Sequence, residues 1–294
     1  MCFPCLALCY NNFYLGFKVV TNLIKKLKMK NFKIILYFII IVILQSFLTD
    51  SNRCQNQINL EENWIKLFNG KDLNDWTIKI KGHPLGENYR NTFRVVEGVL
   101  QVNYDEYETF GTSYGHIFYE KEFSNYKLRL QYRFIGEQVK DGQEWARKNS
   151  GVMIHSQSPE SMGMSQDFPI SIEVQLLGGF GNEERSTGNV CTPGTHIMIN
   201  HELVTTHCIK STSKTFYGNE WVNLEILVMN DSIITHKING KTVMVYHKPQ
   251  IGGAIEIDKE TWESKKGNPL KSGFISLQSE SHPIEFKNIE LLEL

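Results

Sequence analysis

No stretch of ten or more residues in this 294-residue chain carries a convincing helical repeat of apolar positions. That lack excludes helical bundles and alternating strand–helix architectures. There is no Gly-x-Ser-x-Gly elbow, no phosphate-binding loop and no dinucleotide glycine fingerprint. "GGFGNE" at 178–183 is only a glycine-rich loop. No Cys-x-x-Cys pair occurs, and the spacing of His196, His201 and His207 matches no familiar zinc motif. No internal repeat and no linker rich in Pro or Ser interrupts the chain after Trp64. The longest apolar run, Ile34 to Leu44, has 11 residues and is too short to span a bilayer comfortably.

That run has the character of a signal peptide. It follows Met29 and two lysines, Lys30 and Lys33. Residues 29–53 are therefore expected to be a signal peptide, with residues 1–28 a mis-annotated upstream extension. The alternative is a membrane anchor with a short cytoplasmic tail. Cys54 raises lipidation, but "SNRC" lacks the small residues expected before a lipidated Cys. The expected location is periplasmic or extracellular, with no membrane contact once the signal is cleaved. Beyond residue 53 the chain keeps 24 basic against 31 acidic residues, a net of −7. An acidic domain is a poor partner for nucleic acid, whose phosphates demand a basic face. Export also allows disulfides, and Cys191 and Cys208, 17 residues apart, are expected to pair.

What is present is period-two alternation. "YKLRLQYRF" sets Leu128, Leu130, Tyr132 and Phe134 on one face and Lys127, Arg129, Gln131 and Arg133 on the other. "FRVVEGVLQV" reads as a hairpin turning at Glu97-Gly98. Residues 221–247 read as a three-strand meander with turns at Asn230-Asp231 and Asn239-Gly240. "GFISLQSE" and "PIEFKNIELLEL" read as a closing pair, and Glu256 to Lys266 as a short helix in a loop. The fold class is all-β: one two-sheet antiparallel sandwich or jelly roll over residues 64–294.

Within "GVMIHSQSPESMGMSQDFPISIEVQLLGG" the strand faces separate chemistry from core. Ile172, Val174 and Leu176 share one face, and Ser171, Glu173 and Gln175 the other. Alternation likewise sets His155 opposite Val152 and Ile154, and Gln278 opposite Leu277. If these strands are neighbours, Glu173, His155, Gln175 and Gln278 crowd one polar face. A carboxylate beside an imidazole supplies acid and base near neutral pH. The bland alternative is an ordinary solvated face. Trp145, in the preceding loop, would stack on a sugar at the rim or else fill the core. The segment around "CTPGTH" reads as a long loop pinned over a sheet face, from which Lys210 and Lys214 could reach an anionic oxygen.

In order along the chain, "LFNGKDLNDW", "VVEGVL", "NSGVMIH", "IEVQLLGG", "STGN", "GNEWVNLEILV", "HKINGKTV" and the closing "SGFISLQSESHPIEFKNIELLEL" resemble the 3-keto-disaccharide hydrolase family. The resemblance covers about Trp64 to Leu294. Many relatives carry Arg where this chain has His155. It implies a concanavalin-like sandwich and a carbohydrate substrate: cleavage of 3-keto-glycosides by C2 deprotonation, loss of the C1 aglycone and hydration. On that basis Glu173 and His155 are the expected acid–base pair. Gln175, Gln278 and Trp145 would hold the sugar, and Lys214 would polarise the ketone. A divalent cation is the other way to hold a keto-enolate, but no ligand set is legible. A non-catalytic carbohydrate-binding module would share the fold and the polar face. A conventional β-glucanase would need Glu-x-Asp-x-x-Glu, and "IEVQLL" offers one carboxylate. The oligomeric state is left open.

Overall fold

The computed structural model describes residues 63–254 and 258–294. The expected signal peptide, the extension before it and Cys54 lie outside them. No helix among the described residues is long and apolar enough to cross a membrane.

The strands run in order as β1 (Ile65–Lys66), β2 (Trp76–Ile80), β3 (Phe93–Val96), β4 (Val99–Val102), β5 (Gly115–Tyr119) and β6 (Asn125–Phe134). Then come β7 (Asn149–Ser156), β8 (Ile172–Leu177), β9 (Asn189–Cys191), β10 (Thr195–Ile199), β11 (Glu202–Val204) and β12 (Cys208–Ile209). The chain closes with β13 (Val222–Met229), β14 (Ile233–Ile238), β15 (Lys241–Ile251), β16 (Phe274–Ser279) and β17 (Ile284–Glu293). Helix α1 (Lys259–Glu263) falls inside the segment expected to be helical.

Two antiparallel sheets face each other, as the alternation predicts. The larger follows the order β11-β10-β15-β14-β13-β6-β17-β4-β3, with β1 on β17; the smaller follows β12-β9-β8-β7-β16-β5-β2. Tyr126, Leu128, Leu130, Tyr132 and Phe134 of β6 are buried on the inner face of the larger sheet. Ile172, Val174 and Leu176 of β8 meet that core from the smaller one, each fully buried. The meander β13–β14–β15 forms with its expected neighbours. Asn239 and Gly240 both take positive φ, 48° and 78°, which matches the twist that a tight hairpin needs.

Two expectations fail. β16 and β17 do not pair: β16 lies between β7 and β5, and β17 lies between β6 and β4 in the other sheet. Residues 280–283 carry the chain across the sandwich, a crossing that alternation cannot reveal. Nor is the segment after Cys191 a loop lying over a sheet face. It crosses to the larger sheet, forms the hairpin β10–β11 on β15, and returns to the smaller sheet as β12.

Cys191 and Cys208 are directly opposite across β9 and β12 and form the expected disulfide. Because β12 is a two-residue edge strand, the bridge holds a local feature. Replacing both cysteines by Ala should open residues 192–207 to limited proteolysis while the sandwich persists. Loss of global stability should stay near ~3 kcal/mol, the scale for a loop of this length. Equilibrium denaturation with peptide mapping of the cleavage products checks both.

Candidate active site

The smaller sheet's outward face is not solvated. All eight residues of β7 are buried, although one side carries Asn149, Gly151 and Met153. Gln278 and His116 are fully buried, Glu280 is 3% and Glu173 7% exposed. A plain polar face would leave such side chains in water, so their burial decides against the bland reading of this surface.

Register builds the floor. Met153 pairs with Glu173, and Gly151 with Gln175. Leu277 pairs with Val152, which puts Gln278 beside Gly151. Gln278 pairs in turn with His116, and His116 with Lys79. Glu280 lies two residues on from Gln278, close enough to Tyr114 for its charge to act there. The row therefore runs Gln175, Gly151, Gln278, His116, Lys79, with Glu280 and Asn149 one step along the strands. Gln175 is tied to the next strand, its Oε1 accepting from Nδ2 of Asn189 at 3.0 Å.

Gly151 makes the room that Glu173 occupies. A Cβ there would lie 2.7 Å from both Cγ and Oε1 of Glu173. Gly151→Ala should displace the carboxyl from the floor and, if the site is catalytic, lower kcat about a hundredfold, the scale of a misplacement near ~1 Å. Steady-state kinetics checks this, with circular dichroism showing that the strands remain.

Burial pushes the Glu173 carboxyl up to about 8. Glu280 is driven well above the usual carboxylate range by burial and by the charge of Glu173. Burial favours the protonated form of both carboxyls, and a charge on Glu173 adds to the cost of a second on Glu280. Burial also keeps His116 neutral, down to about 3. Around them, both ring nitrogens of His116, both amide atoms of Gln278, Oδ1 of Asn149, Oγ of Ser276 and Oε2 of Glu280 have no protein partner. Each orphaned buried group costs about 1–3 kcal/mol. A floor of them awaits a ligand rich in hydroxyls, or ordered water.

Aromatic rings form the wall above this floor. Tyr114 stacks near-parallel with Trp145, centroids 6.3 Å apart, and tilts against Phe168 at 5.1 Å. Trp145 is 52% exposed, so it stands at the rim rather than in the core.

The expected residues divide. Glu173, Gln175, Gln278 and Trp145 gather on or above this face. His155 does not. A β-bulge in β7, opposite Phe274 to Ser276, gives His155 a positive φ of 48° and reverses its facing. Its Nε2 donates to the carbonyl of Asn230, in a turn of the other sheet, at 3.1 Å. Lys214 is also elsewhere: exposed, with Nζ 4.8 Å from the Phe216 ring, it lines a separate groove with Lys210 and Lys241. Glu280 and His116 were missed. Period-two counting through "SLQSE" would have added Glu280 to Gln278 on one face.

Among the described residues no three His, Cys, Asp or Glu side chains gather as metal ligands. The floor's donors are two carboxyls, neutral amides and the neutral imidazole of His116.

No curated protein matches the chain. Among solved structures, a Parabacteroides distasonis ATCC 8503 protein described as a "putative glycosyl hydrolase" is 20% identical, with TM-score 0.46, covering 79% of this chain and 94% of that one. A carbohydrate-binding module from Bacillus subtilis is 10% identical, with TM-score 0.42, covering 74% and 96%. The laminarinase of Rhodothermus marinus is 10% identical, with TM-score 0.44, covering 78% and 95%. The family model for the 3-keto-alpha-glucoside-1,2-lyase-like domain matches residues 63–292. That match takes in the whole sandwich, both carboxyls and the floor between them, and the chain belongs to this carbohydrate-acting family.

Proposed function

We propose that the protein cleaves 3-keto-glycosides by elimination across C1–C2, with Glu173 as base and Glu280 as acid. The observation that carries this reading is the buried carboxyl pair set in a floor of unpartnered polar atoms. A C3 ketone acidifies the C2 proton, so one well-placed carboxylate suffices to remove it. Glu173, nearer the ordinary range, is the member that ionises first; Glu280 keeps its proton.

The Glu173 carboxylate takes the C2 proton, and the electron pair moves into the C3 enolate. As the C3 carbonyl re-forms, the C1–O bond breaks and Glu280 protonates the departing oxygen. The products are the aglycone alcohol and an enone with a C1=C2 bond. Water adding at C1 reverses the transfers: Glu280 takes a proton from water and Glu173 returns one to C2. Both carboxyls end as they began. Gln278 Nε2 and an imidazole N–H of His116 are the donors offered to the enolate oxygen, taking the role expected of Lys214. Tyr114 and Trp145 cover the ring and limit water.

Incubating the purified protein with 3-keto-trehalose and aryl 3-keto-glucosides, followed by mass spectrometry, tests the reading. In heavy water the 3-keto-sugar product should carry deuterium at C2, which direct hydrolysis at C1 would not introduce. Sugar binding without turnover of any 3-keto-glycoside would replace it with a binding module.

A further inference from the structure

Beside the Glu280 end of the floor lies a corner that the proposed chemistry does not use. Arg147 and Lys148 directly precede Asn149, and His282 follows Glu280 by two residues. Lys148 and Phe134 both crowd the space over Gly178, and the His282 ring stands edge-on to Phe134 at 5.7 Å. Arg147 and Arg185 lie over the ring of Phe180 at 4.8 and 4.6 Å.

No ion pair neutralises this corner. Among the described residues no carboxylate makes an ion pair with Arg147, Lys148 or Arg185. Glu144 and Glu183 act on Arg185 only from beyond that range. Arg185 spends its donors on neutral carbonyls, those of Arg147 and Gly178, each at 2.7 Å. It ties the turn bearing Trp145 to the loop after β8. Lys148 donates to the carbonyl of Gly179 at 3.3 Å.

His282 is the second observation. It is 1% exposed, and neither ring nitrogen has a partner. Burial first, then the charges of Lys148, Arg147 and Arg185, keep the ring neutral. A neutral imidazole offers one N–H, and the cations beside it make the corner attractive to negative charge.

We infer that Arg147, Lys148 and His282 form a subsite for an oxyanion, a carboxylate or sulfonate, carried by the leaving group of the substrate. The inference rests on the proposed reading, which puts the departing oxygen at Glu280 and hence the aglycone on this side. It makes acidic glycosides preferred over neutral ones.

The test compares 3-keto-glucosides of 4-hydroxybenzoate, 4-hydroxybenzenesulfonate and 4-hydroxybenzamide, which are close in shape. Wild-type kcat/KM should favour at least one of the two anionic substrates over the amide by about tenfold or more, the scale of a charge-assisted contact. The benzoate and sulfonate arms report which anion fits. In Lys148→Met, and separately in Arg147→Met, that ratio should fall toward one. A wild-type ratio near one for both anions, or a ratio unchanged in both variants, overturns the inference. Calorimetry with free 4-hydroxybenzoate and 4-hydroxybenzamide separates this from failure of the reaction itself. If no glycoside turns over, anion binding that is lost in Lys148→Met still supports the subsite, and equal or absent binding of the two compounds sinks it.

Discussion

Replacing Glu173 by Gln should lower kcat on a 3-keto-glycoside by at least about a hundredfold, the lower range for loss of a positioned base. The shape of the side chain is kept, so binding of the sugar should persist. The same change should stabilise the fold at neutral pH. The carboxyl is pushed up to about 8 by burial, whereas in the unfolded chain it titrates near 4.5. Between those values the folded state holds a proton that the unfolded state has lost. Wild-type stability is therefore full below about 4.5 and declines as pH rises toward 8. The amide of the variant cannot ionise and escapes that decline. The variant should melt roughly 5 °C above wild type at about pH 7.5, with the gap closing by about pH 4.5. Melting curves across this range check it. A variant that keeps wild-type turnover removes Glu173 from the role of base, and one that melts lower under the same neutral conditions shows that burial does not hold its carboxyl up. The wild-type rate should rise with pH as Glu173 ionises and fall once Glu280 gives up its proton.

Replacing Glu280 by Gln should act through the leaving group. An alkoxide or sugar alcohol departs poorly without a proton, so 3-keto-trehalose should lose at least about a hundredfold in kcat. A nitrophenolate departs unaided, and an aryl 3-keto-glucoside of 4-nitrophenol should lose far less. Plotting log kcat against leaving-group pKa should steepen in Glu280→Gln relative to wild type. A uniform loss over all aglycones would assign Glu280 to positioning, and would return the acid role to some other group. The falling limb of the pH profile should disappear while the rising limb stays in place, because burial rather than a charge on Glu280 raises the Glu173 carboxyl.

The sandwich was legible wherever strands were long and half-buried. β6 and β13 alternate cleanly, and Asn239-Gly240 announces its hairpin. Sheet membership was not legible: β16 and β17 are adjacent in sequence and alternate alike, yet they belong to different layers. The site was half legible. Glu173, Gln175 and Gln278 share a face because two regular strands flank a regular β7 up to Met153. His155 sits two residues beyond, past a bulge, and one extra residue turns an outward side chain inward. A signal was present in Gly273, where a Cβ would lie 2.5 Å from the carbonyl carbon of His155. A glycine beside a strand marks such close approach of two backbones, but only once the pairing is known. Lys214 was chosen for chemistry alone, with no strand face to place it. Glu280 lies within the segment read as a strand and shares the Gln278 face by the same alternation, yet it was passed over.

The hairpin β10–β11 has a mechanical consequence. The chain leaves the smaller sheet at Cys191, hydrogen-bonds to the larger through β15, and re-enters the smaller at Cys208, where the bridge closes the excursion into a ring. Two layers held by packing alone can part like the covers of a book. At this spine they cannot separate without first unzipping β10 from β15. The opposite margin, where β2 passes to β3 through residues 81–92, has no such ring. Cys191 is the cross-strand neighbour of Glu173, so the proposed base sits beside the bound spine.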